Sequence, residues 1–168
     1  NYGHVKNQNY EVAVLPLGAT EPHNLHLPYG TDLFEASIVG DKICEAAHRA
    51  GAKVVLLPTI PFGTETNLRE FPLAINLNPS TLHMVIRDIV ESLLNDGIKK
   101  IVLLNSHGGN GFKPLLRELS GKNEAHIFLC NWYQALEDVY FDIFEKAEDH
   151  AGEMETSFGL AFFPELVA

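Results

Sequence analysis

The sequence predicts an α/β domain in which a mainly parallel sheet is covered by helices on both faces. Three observations carry this reading. Four short apolar runs of strand length recur along the 168 residues. Segments with helical spacing of apolar residues stand between them. The runs are nearly continuously apolar rather than alternating, as strands buried on both faces are. Repeated strand–helix alternation builds right-handed βαβ units.

The elements follow in order. Val12, Ala13, Val14, Leu15 and Leu17 form the first run, which ends in Gly18 and a polar loop. Over 32–50, Leu33, Phe34, Ile38, Val39, Ile43 and Cys44 recur at helical spacing, and Gly51 closes that helix. Residues 53–57 are the second strand. The segment 58–79, rich in Pro, Gly, Thr and Asn, is longer than a usual connection, and long ordered loops are often functional. Asn78-Pro79-Ser80 opens a helix with Asn78 as N-cap and proline at a tolerated early position. Leu82, Val85, Ile86, Ile89, Val90, Leu93 and Leu94 give it an apolar stripe, and Asp96-Gly97 stops it. Residues 101–104 are the third strand, 111–119 a helix and 125–130 the fourth strand. No internal repeat or boundary interrupts the chain, so 1–168 reads as a single domain. Its apolar ending predicts that part of a natural C-terminus is missing.

Bulk properties narrow the function. The apolar and charged fractions, 46% and 20%, are those of an ordinary soluble globular chain. A formal net charge of −10 disfavours nucleic acid and anionic membrane surfaces as partners. No apolar run approaches the length of a membrane span, and no secretory leader opens the sequence. Cys44 and Cys130, both in apolar contexts, read as buried free thiols, which predicts a cytoplasmic protein.

Open parallel sheets place their sites beyond the carboxyl ends of the strands. Three polar clusters can meet there. The first strand runs into Glu21, His23, His26 and Asp32; the third into Asn105-Ser106-His107-Gly108-Gly109-Asn110; a later cluster spans Asp149, His150, Glu153 and Glu155. Imidazoles and carboxylates are ligands for zinc, manganese or iron. Glu21 and His23, two apart in an extended segment, point the same way and can serve neighbouring ions. Asp32 has two oxygens and can bridge them, while His107 and Glu155 complete one ion each. Singly, each residue has a plainer explanation. Asp32 alone would be a helix N-cap, Glu155 alone a dipole partner in a first helical turn, and Glu21 or His23 alone a solvated loop residue. Co-occurrence at one sheet edge favours the metal reading. His4, His48, His83 and His126 lack such company, and His26 reads as a structural neighbour of the site. Trp132 and Tyr133 read as packing residues, and Asn110 as a helix cap that steadies His107.

Together the clusters resemble the creatininase (creatinine amidohydrolase) family. Leu17-Gly18-Ala19-Thr20-Glu21-Pro22-His23 through Thr31-Asp32 is similar to its first metal motif. Asn105-Ser106-His107-Gly108-Gly109-Asn110 is similar to its second, and His150-Ala151-Gly152-Glu153-Met154-Glu155-Thr156-Ser157 to its third. The resemblance implies a three-layer α/β/α Rossmann-like domain with two divalent metal ions, and hydrolysis of a C–N bond in an amide or cyclic amide. It implies Glu21, His23, Asp32 and His107 as ligands with Asp32 bridging, a small-molecule amide substrate, and a homo-oligomer, commonly a hexamer.

Departures from the family pattern bear on substrate. Creatinine-cleaving members carry a glutamate ligand two residues after the second-motif histidine, where this chain has Gly109; the missing carboxylate is assigned to Glu155. An aromatic–acid pair before the third-motif histidine is replaced by Lys146 and Ala147. The long loop reads Gly63-Thr64-Glu65-Thr66-Asn67-Leu68 instead of the frequent Gly-x-Ser-x-Glu-His. The expected chemistry is attack by a water activated between two metals. His150 would protonate the leaving nitrogen and Glu153 is a second base candidate. Deformylase or peptidase chemistry on the same centre, and a non-catalytic metal- or ligand-binding protein, are the competing readings.

Overall fold

The structure, a computed structural model, describes residues 1–146 and 150–168. Ala147 and Asp149, singled out above, lie outside the described residues. Four strands, β1 (Val12–Leu17), β2 (Val54–Leu56), β3 (Lys100–Asn105) and β4 (His126–Asn131), form one sheet. Its order is β2-β1-β3-β4 and every neighbouring pair is parallel.

The nearly continuous apolar strands divide their residues between two helical layers, as pleating requires. Ala13, Leu15 and Leu17 of β1 and Ile101 and Leu103 of β3 pack with Leu82, Ile86, Val90 and Leu93 of α3 (Pro79–Asn95). Phe112, and Leu115 of α4 (Lys113–Leu119), complete that layer. Val14 and Leu104 face the other way. There they meet Val39 and Cys44 of α2 (Thr31–Arg49) and Met154 and Phe158 of α6 (Glu153–Phe162). Each such leucine or isoleucine removed from water contributes ~1.5–3 kcal/mol. This is the three-layer α/β/α arrangement. Periodicity predicts neither α1 (Tyr2–Val5) nor α5 (Glu137–Ile143), since both are too short to repeat an apolar stripe. Cys130 is half-buried and Cys44 buried; both thiols are free.

Helix ends differ from expectation in detail. Asp32 is no N-cap: Gly30 holds that place, and Asp32 lies buried in the first turn of α2. Asn78 is the N-cap residue of α3, but its side chain makes no capping bond and instead accepts from Arg69 and Asn76. Asn110 does not cap α4, which starts after Phe112.

The chain passes from β1 outward to β2 and returns across β1 to β3. The reversal leaves a crevice between the carboxyl ends of β1 and β3, the usual ligand position in such sheets. Leu17 and Asn105 are paired there, and Ser106 N–H donates to Leu17 O at 2.9 Å. The long 58–79 segment is ordered against this end. Gly18 N–H donates to Ile60 O and Ile75 N–H to Thr20 O. Gly18 also sets how closely β1 approaches α2. A Cβ there would stand 2.7 Å from Leu33 N and 2.9 Å from Asp32 C, both immovable backbone. Gly18→Ala is therefore expected to cost ~1–3 kcal/mol by overpacking and to displace Asp32. Urea unfolding of the variant, with an unchanged m-value, measures it.

Candidate metal centre

Each cluster reaches the crevice by a different local route. Glu21 and His23 leave β1 in an irregular segment tied back by Glu21 N–H to Tyr29 O and closed by a bridge between His23 and Leu27. Asp32 enters from the first turn of α2. His107 follows β3, with its backbone bracketed by Asn105, whose amide Nδ2 donates to His107 O at 2.8 Å. Asn105 thus does the steadying that sequence reading assigns to Asn110. Asn110 itself accepts from Thr64 N–H and donates to Asn105. Glu155 projects from the first turn of α6. Its carboxylate accepts from the N–H of Ala151, a residue held at φ 49°, outside the usual range for a side-chain-bearing residue.

These residues converge. Glu21, His23, Asp32, His107 and Glu155 are all buried. Asp32 lies between the two imidazoles: Oδ1 is 3.4 Å from His23 Nε2, and Oδ2 is 3.1 Å from His107 Nδ1. His107 Nδ1 is also 2.9 Å from Glu21 Oε1, and His23 Nε2 is 3.8 Å from Glu155 Oε2. Ligand atoms ~2.1 Å from one tetrahedral ion stand roughly 3.4 Å apart, so these spacings fit ion coordination. Glu21, Asp32 and His107 make one such group; His23, Asp32 and Glu155 make another. His23 Nε2 and Asp32 Oδ2 have no hydrogen-bond partner although buried. Buried polar atoms without partners are costly, and a shared pair of cations would satisfy both.

The electrostatics agree. Burial works against a charged His23, but Asp32 and then Glu155 outweigh it and hold the imidazole at about 9. Burial opposes His107 too, yet Asp32, Glu21 and Glu65 raise it far above the usual histidine range. Burial would raise Asp32, but the His107 and His23 imidazoles pull it below the ordinary carboxylate value. Glu155 is pushed up by burial and by the Asp32 carboxylate, against the pull of His23.

His150 is exposed and lines the cavity. Its Nε2 donates to Pro22 O at 2.8 Å, which leaves Nδ1 3.8 Å from Glu21 Oε1, and its ring lies 4.3 Å from that of His23. Glu153 is placed elsewhere: its Oε2 accepts from Glu145 and Lys146 N–H, and it is not among the cavity-lining residues. A helix-start acid capping the preceding turn explains it. His26 bonds Thr156 Oγ1 at 2.8 Å, the structural part expected of it. Trp132 packs against Phe158 and donates to Ser106 Oγ, whereas Tyr133, expected to pack, lines the cavity.

Two buried carboxyls escape sequence reasoning. Glu35, one turn beyond Asp32, accepts from Ser106 Oγ at 3.1 Å; burial, with Glu155 and Asp32 nearby, pushes it well above the carboxylate range. Glu65 reaches in from the 58–79 loop, 2.7 Å from His107 Nε2. The i,i+3 spacing from Asp32 is a usable signal for Glu35. Glu65 offers no signal but its place in an overlong loop. Gly109 has no room for a side chain, because a Cβ there would collide with His107 Nε2 and Thr64 O.

An open cavity of ≈ 950 Å³ lies over the cluster. Glu21, Asp32, Glu35, His107, His150 and Glu155 form its polar floor, and Tyr133, Tyr140 and Phe141 stand on its wall. A histidine must lose its proton to ligate a metal, and His23 keeps its proton up to about 9. Uptake at pH 7 of an ion held by His23 is therefore expected to expel at least that proton, with the affinity for that ion rising ~10-fold or more per pH unit up to that value. Titration calorimetry in buffers of different ionisation enthalpy counts those protons.

The family profile Creatininase, described as creatinine amidohydrolase, matches residues 3–168. Creatinine amidohydrolase of Pseudomonas putida is 28% identical over 93% of this chain and 66% of its own length. A crystal structure of a protein described as a creatinine amidohydrolase from Bacteroides fragilis superposes with a TM-score of 0.87 at 38% identity, covering 100% of this chain and 67% of that one. A manganese creatininase structure superposes at 0.77 with 26% identity over 94% of this chain and 67% of that one. The chain thus spans about two thirds of the length of these relatives. Its three motif clusters, its parallel three-layer sheet and the whole-length profile match agree: the chain belongs to the creatininase (creatinine amidohydrolase) family.

Proposed function

We propose that this chain is a metallohydrolase domain that cleaves the C–N bond of an amide or cyclic amide at a binuclear centre. One ion would be held by Glu21, Asp32 and His107, the other by His23, Asp32 and Glu155. The observation that carries the reading is the Asp32 carboxylate, which turns one oxygen to each imidazole inside a buried acidic cluster. Divalent zinc, manganese or iron in such a site supplies Lewis acidity and a water acidic enough to attack at neutral pH.

The chain's own residues do the rest. Hydrolysis adds hydroxyl to the carbonyl carbon and a proton to the leaving nitrogen. His150 is suited to deliver that proton: Pro22 O holds its Nε2, and Nδ1 is left beside the cluster at the cavity floor. Glu153, engaged by Glu145 and Lys146 N–H groups, has no part in this step. Glu21 and Glu155 keep their carboxylates aimed inward, and Tyr133, Tyr140 and Phe141 offer flat apolar wall to a substrate.

The wall also bears on substrate class. Among the described lining residues there is no lysine or arginine, while Glu35 and Glu137 are present. The N-terminus of α6, from Gly152, lines the same cavity and already faces the Glu155 carboxylate, so the acidic lining favours a neutral or cationic amide. A volume near the top of the usual ~300–1,000 Å³ range for small-ligand sites leaves room for amides larger than creatinine. That specific observation keeps deformylation or peptide cleavage as a second reading.

The reading predicts about two transition-metal ions per chain after purification or reconstitution, with His23→Ala and His107→Ala each losing occupancy and hydrolysis while staying folded. Elemental analysis decides this, and parental metal content in both variants would sink the ligand assignment. His150→Ala is expected to retain its metal but to turn over ~10²–10⁴-fold more slowly on whichever amide, cyclic amide or formamide a substrate screen identifies. Loss of metal in that variant would make His150 a ligand instead. Tight metal with no turnover on any amide would leave a binding protein.

A further inference from the structure

Glu65 and Glu35 are buried carboxyls that the mechanism above does not use, and of the two Glu65 touches a proposed ligand. It is fully enclosed, at 0% exposure, beside Nε2 of His107, and its carboxyl also meets that of Glu21. His107 presents Nδ1 to the Asp32 and Glu21 carboxylates. Its other nitrogen, Nε2, donates to Thr64 O at 3.1 Å and has Glu65 Oε1 beside it at 2.7 Å, off the line of that hydrogen bond; both Glu65 oxygens are buried without a hydrogen-bond partner of their own. Thr64 and Glu65 are consecutive residues of the 58–79 loop.

This loop position is fixed from several sides. Glu65 N–H donates to Asn76 Oδ1 at 2.8 Å, and Gly63 bridges to Asn76. Thr64 N–H donates to Asn110 Oδ1 at 3.1 Å, and Asn110 in turn donates to Asn105, the residue that brackets the His107 backbone. The absence of a side chain at Gly109 is what admits the loop, because a Cβ would occupy the space between His107 Nε2 and Thr64 O.

We propose that Glu65 is the positioning residue of the His107 half of the centre. Together with the Thr64 carbonyl it holds His107 with Nε2 as the protonated, loop-facing nitrogen and Nδ1 as the metal-facing one. The proposal rests on the binuclear reading. Its reason is general: a ligating imidazole needs an acceptor at its second nitrogen to fix tautomer and ring orientation, and loss of that acceptor typically costs 10–100-fold in metal affinity. It makes the long loop part of the metal centre rather than a substrate wall alone. Glu65 touches no substrate in this role; it acts through His107.

Glu65→Leu and Glu65→Gln separate this role from simple packing. Both fill the space, but only glutamine keeps an acceptor oxygen. Zinc titration against a competing chelator is expected to show one of the two ions bound ~10–100-fold more weakly in Glu65→Leu, the other unchanged, and Glu65→Gln close to the parent for both. Nitrogen-15 spectra of His107 in the zinc-loaded protein should show a slowly exchanging Nε2 proton in the parent and in Glu65→Gln, and a faster-exchanging one in Glu65→Leu, where Thr64 O alone remains beside it. Parental affinity for both ions in Glu65→Leu overturns the proposal. Equal losses in the two variants, or equal losses at both ions, do so too. Should Glu65→Leu fail to fold, Glu65→Met, which fills the space with a flexible side chain that has no acceptor oxygen, must give the same one-ion loss. A parent that binds no zinc at all fails the binuclear reading itself, whereas a parent that binds two with indifferent variants fails only the assignment of Glu65.

Discussion

Asp32 is the point on which the site depends. One carboxylate at the first turn of α2 faces two imidazoles that arrive from different segments, and all three side chains are buried. Around them stand four more buried carboxyls, Glu21, Glu35, Glu65 and Glu155. Five acids against two imidazoles is an arrangement that a protein interior does not hold as free charge, since uncompensated buried charge costs several kcal/mol per ion. Without cations, protons make up the difference. Both imidazoles keep theirs, and Glu35, Glu65 and Glu155 are pushed toward their neutral forms. Divalent cations would replace those protons, so the cluster is strained toward metal by its own composition.

The backbone makes this concentration possible. Carboxyl ends of β1 and β3 diverge at the reversal of strand order, and the crevice between them receives loops from both strands. Gly18 lets β1 approach the start of α2 closely enough to bring Asp32 over the strand end. On the other side α6 supplies Glu155 from its first turn, where the helix N-terminus favours a carboxylate. Helices therefore hold Asp32 and Glu155, while Glu21, His23, His107 and Glu65 come from irregular segments tied down by hydrogen bonds.

The residues around the mouth of the cavity sit on different elements from the central cluster. Tyr133, Gln134, Glu137, Tyr140 and Phe141 on one side, and Asn67 and Leu68 on the other, line the cavity above the cluster. These segments can vary without disturbing Asp32 or the histidines, so under the proposed reading they are where a change of amide would be accommodated.

The sequence alone determined the sheet, the two helical layers and the five residues of the central cluster. Continuous apolar runs specify strands buried on both faces, apolar stripes specify α2 and α3, and the His and carboxylate clusters stand directly after strands whose ends must lie together. Tertiary structure decided what lacked a local signal. Glu65 joined the site because a loop folded back over β3, and Glu35 because helix α2 is buried at that turn. Glu153 left it because its carboxylate found nearer N–H donors, and Tyr133 turned to the cavity while its neighbour Trp132 turned to the core. Strand burial and helix periodicity are written in neighbouring residues. Which side chain meets which across 40 or more positions is set by packing, and no local pattern carries it.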